Sequence, residues 1–446
     1  MTVTRSLAEF VATTEAATLP DWTIREAKRT LLNLLAISLS ASRSAGARIL
    51  LDWAAAEGSA RRASVIGADL KTSPGTAALV NGYLAHLQDY DDTHFPTVLH
   101  PTAPVWPAVL SAAEDTGASG IEALAAFVLG AETACRVAAS VHPWHYDAGW
   151  HITGTAGVFG AAAGAGRVLR LDPDPMCNAI GAGGTLAAGV REVFGSHAKP
   201  LHAGHAAANG LQAAVWAKAG FTAADDILGG RRGFWAVLSA NGHSEDALLG
   251  DLGGHWELRM NGLKPYANGV VSHPIQDAVI ALRNTHSLDA EGVTSIEARV
   301  HPLVLELMNR PNPRRGLEGK FSFQHCAAAA LVDGAGHDAQ FSDEKVRDPV
   351  ISRVRSKVSA TVDESIREDE VYVSIVLDDG RRIETHVEHA TGSPGNPMSD
   401  ETLQVKYRTL AGEVFDAARV EALFDAVWRL DEAPAVTGVT DLMRAP

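Results

Sequence analysis

The chain has 446 residues, enough for roughly two or three domains, and a hydrophobic content of 46%, that of a globular protein with a large core. Its three cysteines, Cys135, Cys177 and Cys326, form no CxxC pair, which argues against a zinc ribbon or redox motif and for buried free thiols in a reducing cytosol. A formal net charge of -15 argues against a nucleic-acid binder, which needs a basic face, yet allows an anionic substrate in a local basic pocket.

Up to about residue 266 the sequence predicts helix after helix. Pro20-Asp21 opens one whose apolar positions, from Ile24 through Leu31, Leu32, Leu34, Leu35 and Leu39, nearly encircle it, so it should be deeply buried. Ser73-Pro74 pairs a cap with a first-turn proline. Residues 121–141, 155–169, 174–189 and 202–219 continue the pattern. Heavy use of Ala and Gly favours helices packed through small residues. Beyond 266, residues 295–300, 357–362 and 370–377 alternate like strands, and Asp378-Asp379-Gly380 turns the last of them into 382–387 as a hairpin. Helical segments intervene at 273–283 and 321–332, and the chain is helical again over 400–410 and 416–430. The expected fold is mainly α: residues 1–266 with 397–446 form a large all-helical domain, and 267–396 a smaller α+β domain. The run from Gly154 to Gly166 is too short and glycine-rich to span a bilayer, and Met1-Thr2-Val3-Thr4-Arg5 lacks the plan of a signal peptide. A soluble, cytoplasmic protein with no membrane or nucleic-acid partner is expected.

The densest chemistry lies in Asp89-Tyr90-Asp91-Asp92-Thr93-His94 and His100-Pro101, between two apolar runs that read as helices. A break between packed helices can point proton-transfer groups into a cleft while the helices hold them still. Three readings compete: acid–base function, helix capping and a metal site. The last lacks an HExxH, a calcium-loop pattern or a second acidic cluster. Asp91 and Asp92 suit capping better than Asp89 or His100. His151, just before a small-residue helix, either faces an anionic ligand or is a satisfied core histidine. Lys199 precedes Pro200 and should lie in the loop entering a helix, where it suits a carboxylate or solvent. Lys264-Pro265 repeats the arrangement at the expected domain boundary, a favoured place for a ligand cleft. No Walker A loop, GxGxxG or GxSxG elbow occurs.

These residues resemble the MmgE/PrpD family along nearly the whole chain. The carriers are Asp89-Tyr90-Asp91-Asp92-Thr93 with His100-Pro101, Lys199-Pro200-Leu201-His202-Ala203-Gly204, Leu263-Lys264-Pro265-Tyr266 and Gly395-Asn396-Pro397-Met398-Ser399. The resemblance implies a homodimer without metal or organic cofactor, acting on a small polycarboxylate. It implies catalytic roles for His151, Lys199, His100 and Asp89, and substrate contacts from Lys264 and Thr93. Two positions depart from the decarboxylase-like pattern. Gly269 stands where a histidine is expected, with His273 as a possible substitute, and His325 stands where a tyrosine is expected. His273 and His325 are therefore carried as further candidate substrate-binding residues. The overall likeness is to an iminodisuccinate-type epimerase. The runner-up is a 2-methylcitrate dehydratase-like lyase, and a third reading is a non-catalytic polycarboxylate-binding protein. Both catalytic readings work at a carbon beside a carboxylate, where preorganised cations stabilise developing negative charge.

Overall fold

A computed structural model describes residues 1–445. It is mainly α, with a smaller α+β portion. The helices that build the site are α1 (Asp21–Ser42), α2 (Pro74–Leu87), α3 (Thr102–Thr116), α4 (Gly120–Val141), α5 (Ile152–Val168), α6 (Pro173–Gly184) and α7 (Ala198–Lys218). α5 is surrounded: α3, α4, α6 and α7 all pack on it. Small residues make this possible. A Cβ added to Gly160 would sit 2.5 Å from the Gly130 carbonyl oxygen, so α4 and α5 meet backbone to backbone. α2 and α7 cross the same way, a Cβ on Gly204 falling 2.4 Å from the Leu79 carbonyl oxygen.

Local chemistry sets the helix starts. The Ser73 hydroxyl accepts from the Thr76 amide with Pro74 behind it, as the sequence predicts, and Ser119 and Glu122 close a capping box on α4. α1 is buried along most of its length. α6 ends at Gly184, short of the expected 189, where the consecutive glycines Gly183-Gly184 weaken the helix. α4 is long and apolar enough to cross a membrane, but it is packed inside the protein, and Glu132 and Arg136 pair within it at 2.6 Å.

The α+β portion contains α8 (His273–His286), α9 (Phe323–Asp333) and four strands: β1 (Val293–Val300), β2 (Val358–Val362), β3 (Val371–Leu377) and β4 (Arg382–Val387). Their order is β2-β1-β3-β4. β1 pairs with β2 in parallel, Ile296 opposite Val358, and with β3 antiparallel, Val300 opposite Val371. β3 and β4 form the predicted hairpin, with Gly380 at φ 83° in its turn. α8 packs against β3 and β4, and α9 packs on α8. α10 (Asp400–Ala411) lies along α1. The cysteines are buried and free.

Candidate active site

The stretch after α2 is the break that the sequence predicts: α2 ends at Leu87 and α3 begins at Thr102. Thr93 and His94 pair antiparallel with Gly262 and Asn261, which brings the neighbouring Lys264 beside Asp89. The Asp89 Oδ1 atom accepts hydrogen bonds from Lys199 Nζ and Lys264 Nζ, each at 2.9 Å, and Lys264 also donates to the Asp89 carbonyl at 3.1 Å. All three side chains are buried. Asp89 has a left-handed backbone, φ 53°, which a non-glycine residue adopts at an energetic cost. Burial pushes its carboxyl up, but the two ammoniums outweigh this and hold it well below the usual carboxylate range. Burial lowers Lys199, aided by Lys264 and opposed by Asp89.

Lys199 is a correction to the expected loop: it lies in the first turn of α7, with Pro200 after it. In the first turn a proline lacks only an amide that has no helical acceptor, so Lys-Pro is tolerated there. The helix then fixes Lys199 rigidly.

His100 is tied by its Nδ1 to the Asp92 carbonyl at 2.6 Å, with Thr93 Oγ1 at 3.3 Å. A carbonyl only accepts, so the proton is on Nδ1 and Nε2 is left as a free base. Burial moves His100 down to about 3, so the ring is neutral near pH 7. His151 is buried and neutral for the same reason, its Nδ1 lying 2.9 Å from Nδ1 of His202. Asp92 is structural: it accepts from the Thr102 hydroxyl, from the Thr102 amide at 3.3 Å and from Asn261 at 2.7 Å. Asp91 holds His86 Nδ1 at 2.7 Å.

Asp89, Thr93, His100, His151, Lys199 and Lys264 line one small cavity of about 50 Å³. The sequence reading missed His86, Tyr146, Phe194, Leu307, Met308 and Phe321. All but His86 line the cavity. His86 stacks on His151, ring centroids 5.5 Å apart, and lies 4.8 Å from the His100 ring. A histidine in the last turn of an apolar helix was the available signal for it. Met308 and Tyr146 gave no signal.

Two expected substrate-binding residues do not line the cavity. His325 points into the α+β portion, where its Nε2 donates to the Gln340 carbonyl at 2.8 Å and its ring packs edge-on to Phe341. Its position early in α9 directs it inward. His273 is buried with Nε2 3.2 Å from the Asn268 carbonyl and its ring edge-on to Tyr266. It does not replace the histidine missing at Gly269. A Cβ at Gly269 would lie 2.3 Å from the Met308 sulfur, so Met308 occupies the space that a side chain there would need.

His86, Asp89 and His100 each offer one ligand atom, all within 4.8 Å of one another. The charge balance disfavours a dication, because Asp89 already faces two ammoniums at 2.9 Å.

A helical scaffold thus holds two lysines on one buried carboxylate, beside neutral imidazoles. The chain belongs to the MmgE/PrpD family: the MmgE/PrpD N-terminal domain matches residues 5–246 and the C-terminal domain residues 266–430. It is similar to cis-aconitate decarboxylase of Aspergillus terreus, 29% identical over 415 residues, 86% of this chain and 84% of the relative. It is also similar to the cis-aconitate decarboxylases of Mus musculus (28%, covering 100% of this chain and 94% of the relative) and Homo sapiens (26%, covering 100% and 95%).

Proposed function

We propose that the protein is a cofactor-independent lyase of small polycarboxylates, whose reaction passes through a carbanion beside a carboxylate. This replaces the epimerase as first reading, because the similar proteins are named as decarboxylases. The observation that carries the proposal is the pair of buried ammoniums, Lys199 and Lys264, sharing Asp89 at a cavity that His100 and His151 also line. The ammoniums receive substrate carboxylates and stabilise the charge that develops on the adjoining carbon. In a decarboxylation the carbon–carbon bond breaks, carbon dioxide leaves without the electron pair, and the pair remains on carbon until it takes a proton. Lys199 is suited to give that proton, since burial has lowered its hold on it. In a dehydration the bare Nε2 of His100 takes the carbon-bound proton, and the hydroxyl leaves with a proton from the enzyme.

One observation favours a second reading. His100 and His151 are two neutral bases on one cavity, and an epimerase needs a base on each face of its carbon.

The test is proton NMR in deuterated water with cis-aconitate, 2-methylcitrate and iminodisuccinate as separate substrates. Loss of carbon dioxide or water supports the lyase. Deuterium entry with stereoisomer exchange and no alkene moves the assignment to the epimerase. Ligand binding without either reaction on the three acids defeats both readings for those substrates. Lys199→Met and His151→Ala should each lower turnover at least about a hundredfold while the far-ultraviolet circular dichroism stays that of wild type.

A further inference from the structure

The cavity lining falls into a charged set and an apolar set. Its charged lining consists of Lys199, Lys264 and Asp89, and no arginine lines it among the described residues. With the histidines neutral, these groups sum to a single positive charge. Their donors are also limited. An ammonium has three N–H donors; Lys199 uses one on Asp89, and Lys264 uses two on the Asp89 side chain and carbonyl. Val270, Val271, Leu307 and Met308, from two segments that pack on each other, line the cavity without a polar side chain, whereas Phe321 lies under the Lys199 ammonium at 5.3 Å. Met308 lies against the bare backbone at Gly269, so its thioether is the part of that lining which fills the Gly269 position.

We propose that the site takes a dicarboxylate carrying an alkyl substituent in preference to a tricarboxylate, and that Met308 sets this preference. The proposal rests on the polycarboxylate reading above and narrows its substrate class. Two carboxylates match the free donors of Lys199 and Lys264 with the nearby Thr93 hydroxyl. A third would be stripped of water against methyl groups and a thioether without a partner. An alkyl group on that side is instead favoured, by about fourfold in affinity for each buried methylene. Met308 is unbranched and adapts its shape to such a group.

The experiment is calorimetric titration of the full chain with succinate, 2-propylsuccinate and propane-1,2,3-tricarboxylate under one buffer and salt condition. Propylsuccinate is expected to bind at least about tenfold tighter than either of the others. In Met308→Ala the ratio of propylsuccinate to succinate affinity should fall to about threefold or less, and Met308→Leu should keep most of it. Tricarboxylate binding as tight as that of propylsuccinate overturns the proposal in the wild-type protein alone. An alkyl advantage that survives Met308→Ala removes Met308 from the role. If the unsubstituted acids bind and the propyl group adds nothing, only this inference fails. If no acid binds, the polycarboxylate reading fails and takes the inference with it.

Discussion

Replacing Asp89 by asparagine removes the carboxylate that both buried ammoniums touch, at 2.9 Å each, and keeps its size and shape. Breaking a buried ion pair by removing one partner costs about 3–5 kcal/mol, because the stranded charge stays desolvated. Two relaxations reduce that figure. The asparagine oxygen still accepts one hydrogen bond, and Lys199, already lowered by burial, can release its proton. Asp89→Asn should therefore lose on the order of 3 kcal/mol at pH 7. The assay is urea unfolding followed by circular dichroism. The diagnostic comparison is Asp89→Asn combined with Lys199→Met. If the loss comes from a stranded charge, deleting one ammonium recovers part of it, and the pair is non-additive by about 1–2 kcal/mol. The sign with pH follows from the depressed carboxyl. Its contribution is fully present above about pH 4, the unfolded value, and is lost as pH falls through the lower folded value. The gap between wild type and variant should accordingly close in acid. An Asp89→Asn midpoint equal to wild type, or a double variant that loses the plain sum, would refute the reasoning.

Other outcomes follow from the same structure. Burial lowers His100 and His273 to about 3 and His145, His202 and His325 to about 4. Below about pH 6.5 the unfolded chain binds protons that the folded one refuses, so stability should fall as pH drops from there; a flat profile between pH 6.5 and 4.5 contradicts this. The ring protons of His100 should show no titration between pH 5 and 8 by NMR, and a midpoint near 6.5 would disprove its buried, carbonyl-tied state. Gly160→Ala puts a Cβ 2.5 Å from the Gly130 carbonyl oxygen and should cost about 1–3 kcal/mol by thermal unfolding; an unchanged midpoint would mean that α4 and α5 separate freely. Lys406 donates to Asn33 at 2.7 Å and to the carbonyls of Lys264 at 2.9 Å and Tyr90 at 3.1 Å. Lys406→Met should therefore cost about 1–3 kcal/mol in urea and weaken succinate binding, whereas unaltered binding would confine Lys406 to stability.

The break that carries Asp89 and His100 was legible because two apolar runs flank a polar one, and apolar periodicity reports burial directly. The strand 382–387 and its hairpin were legible because Asp-Gly demands a specific backbone. The grouping of Asp89 with Lys199 and Lys264 was reached through family resemblance, since periodicity carries no information about contacts 110 and 175 residues apart. His325 shows the limit of that route: it was carried over at a position that departs from the family pattern, and a side chain's direction depends on where α9 packs; here it meets the Gln340 carbonyl. Lys199 failed for a local reason. The rule against helix before proline holds in a helix interior and relaxes in the first turn. Met308 was invisible because its importance comes from an empty position at Gly269 on another segment.

Lys406 has a consequence for how the molecule is made. Its partner carbonyls lie 316 and 142 residues earlier, on the segments that carry Asp89 and Lys264. A chain emerging from the ribosome can stack α2 to α7 early, since those contacts are comparatively local. The carbonyls beside the two key segments wait, still wet, until α10 has been synthesised and swung back onto α1. A growing chain therefore holds every residue of the cavity before Lys406 can close on the carbonyls beside it.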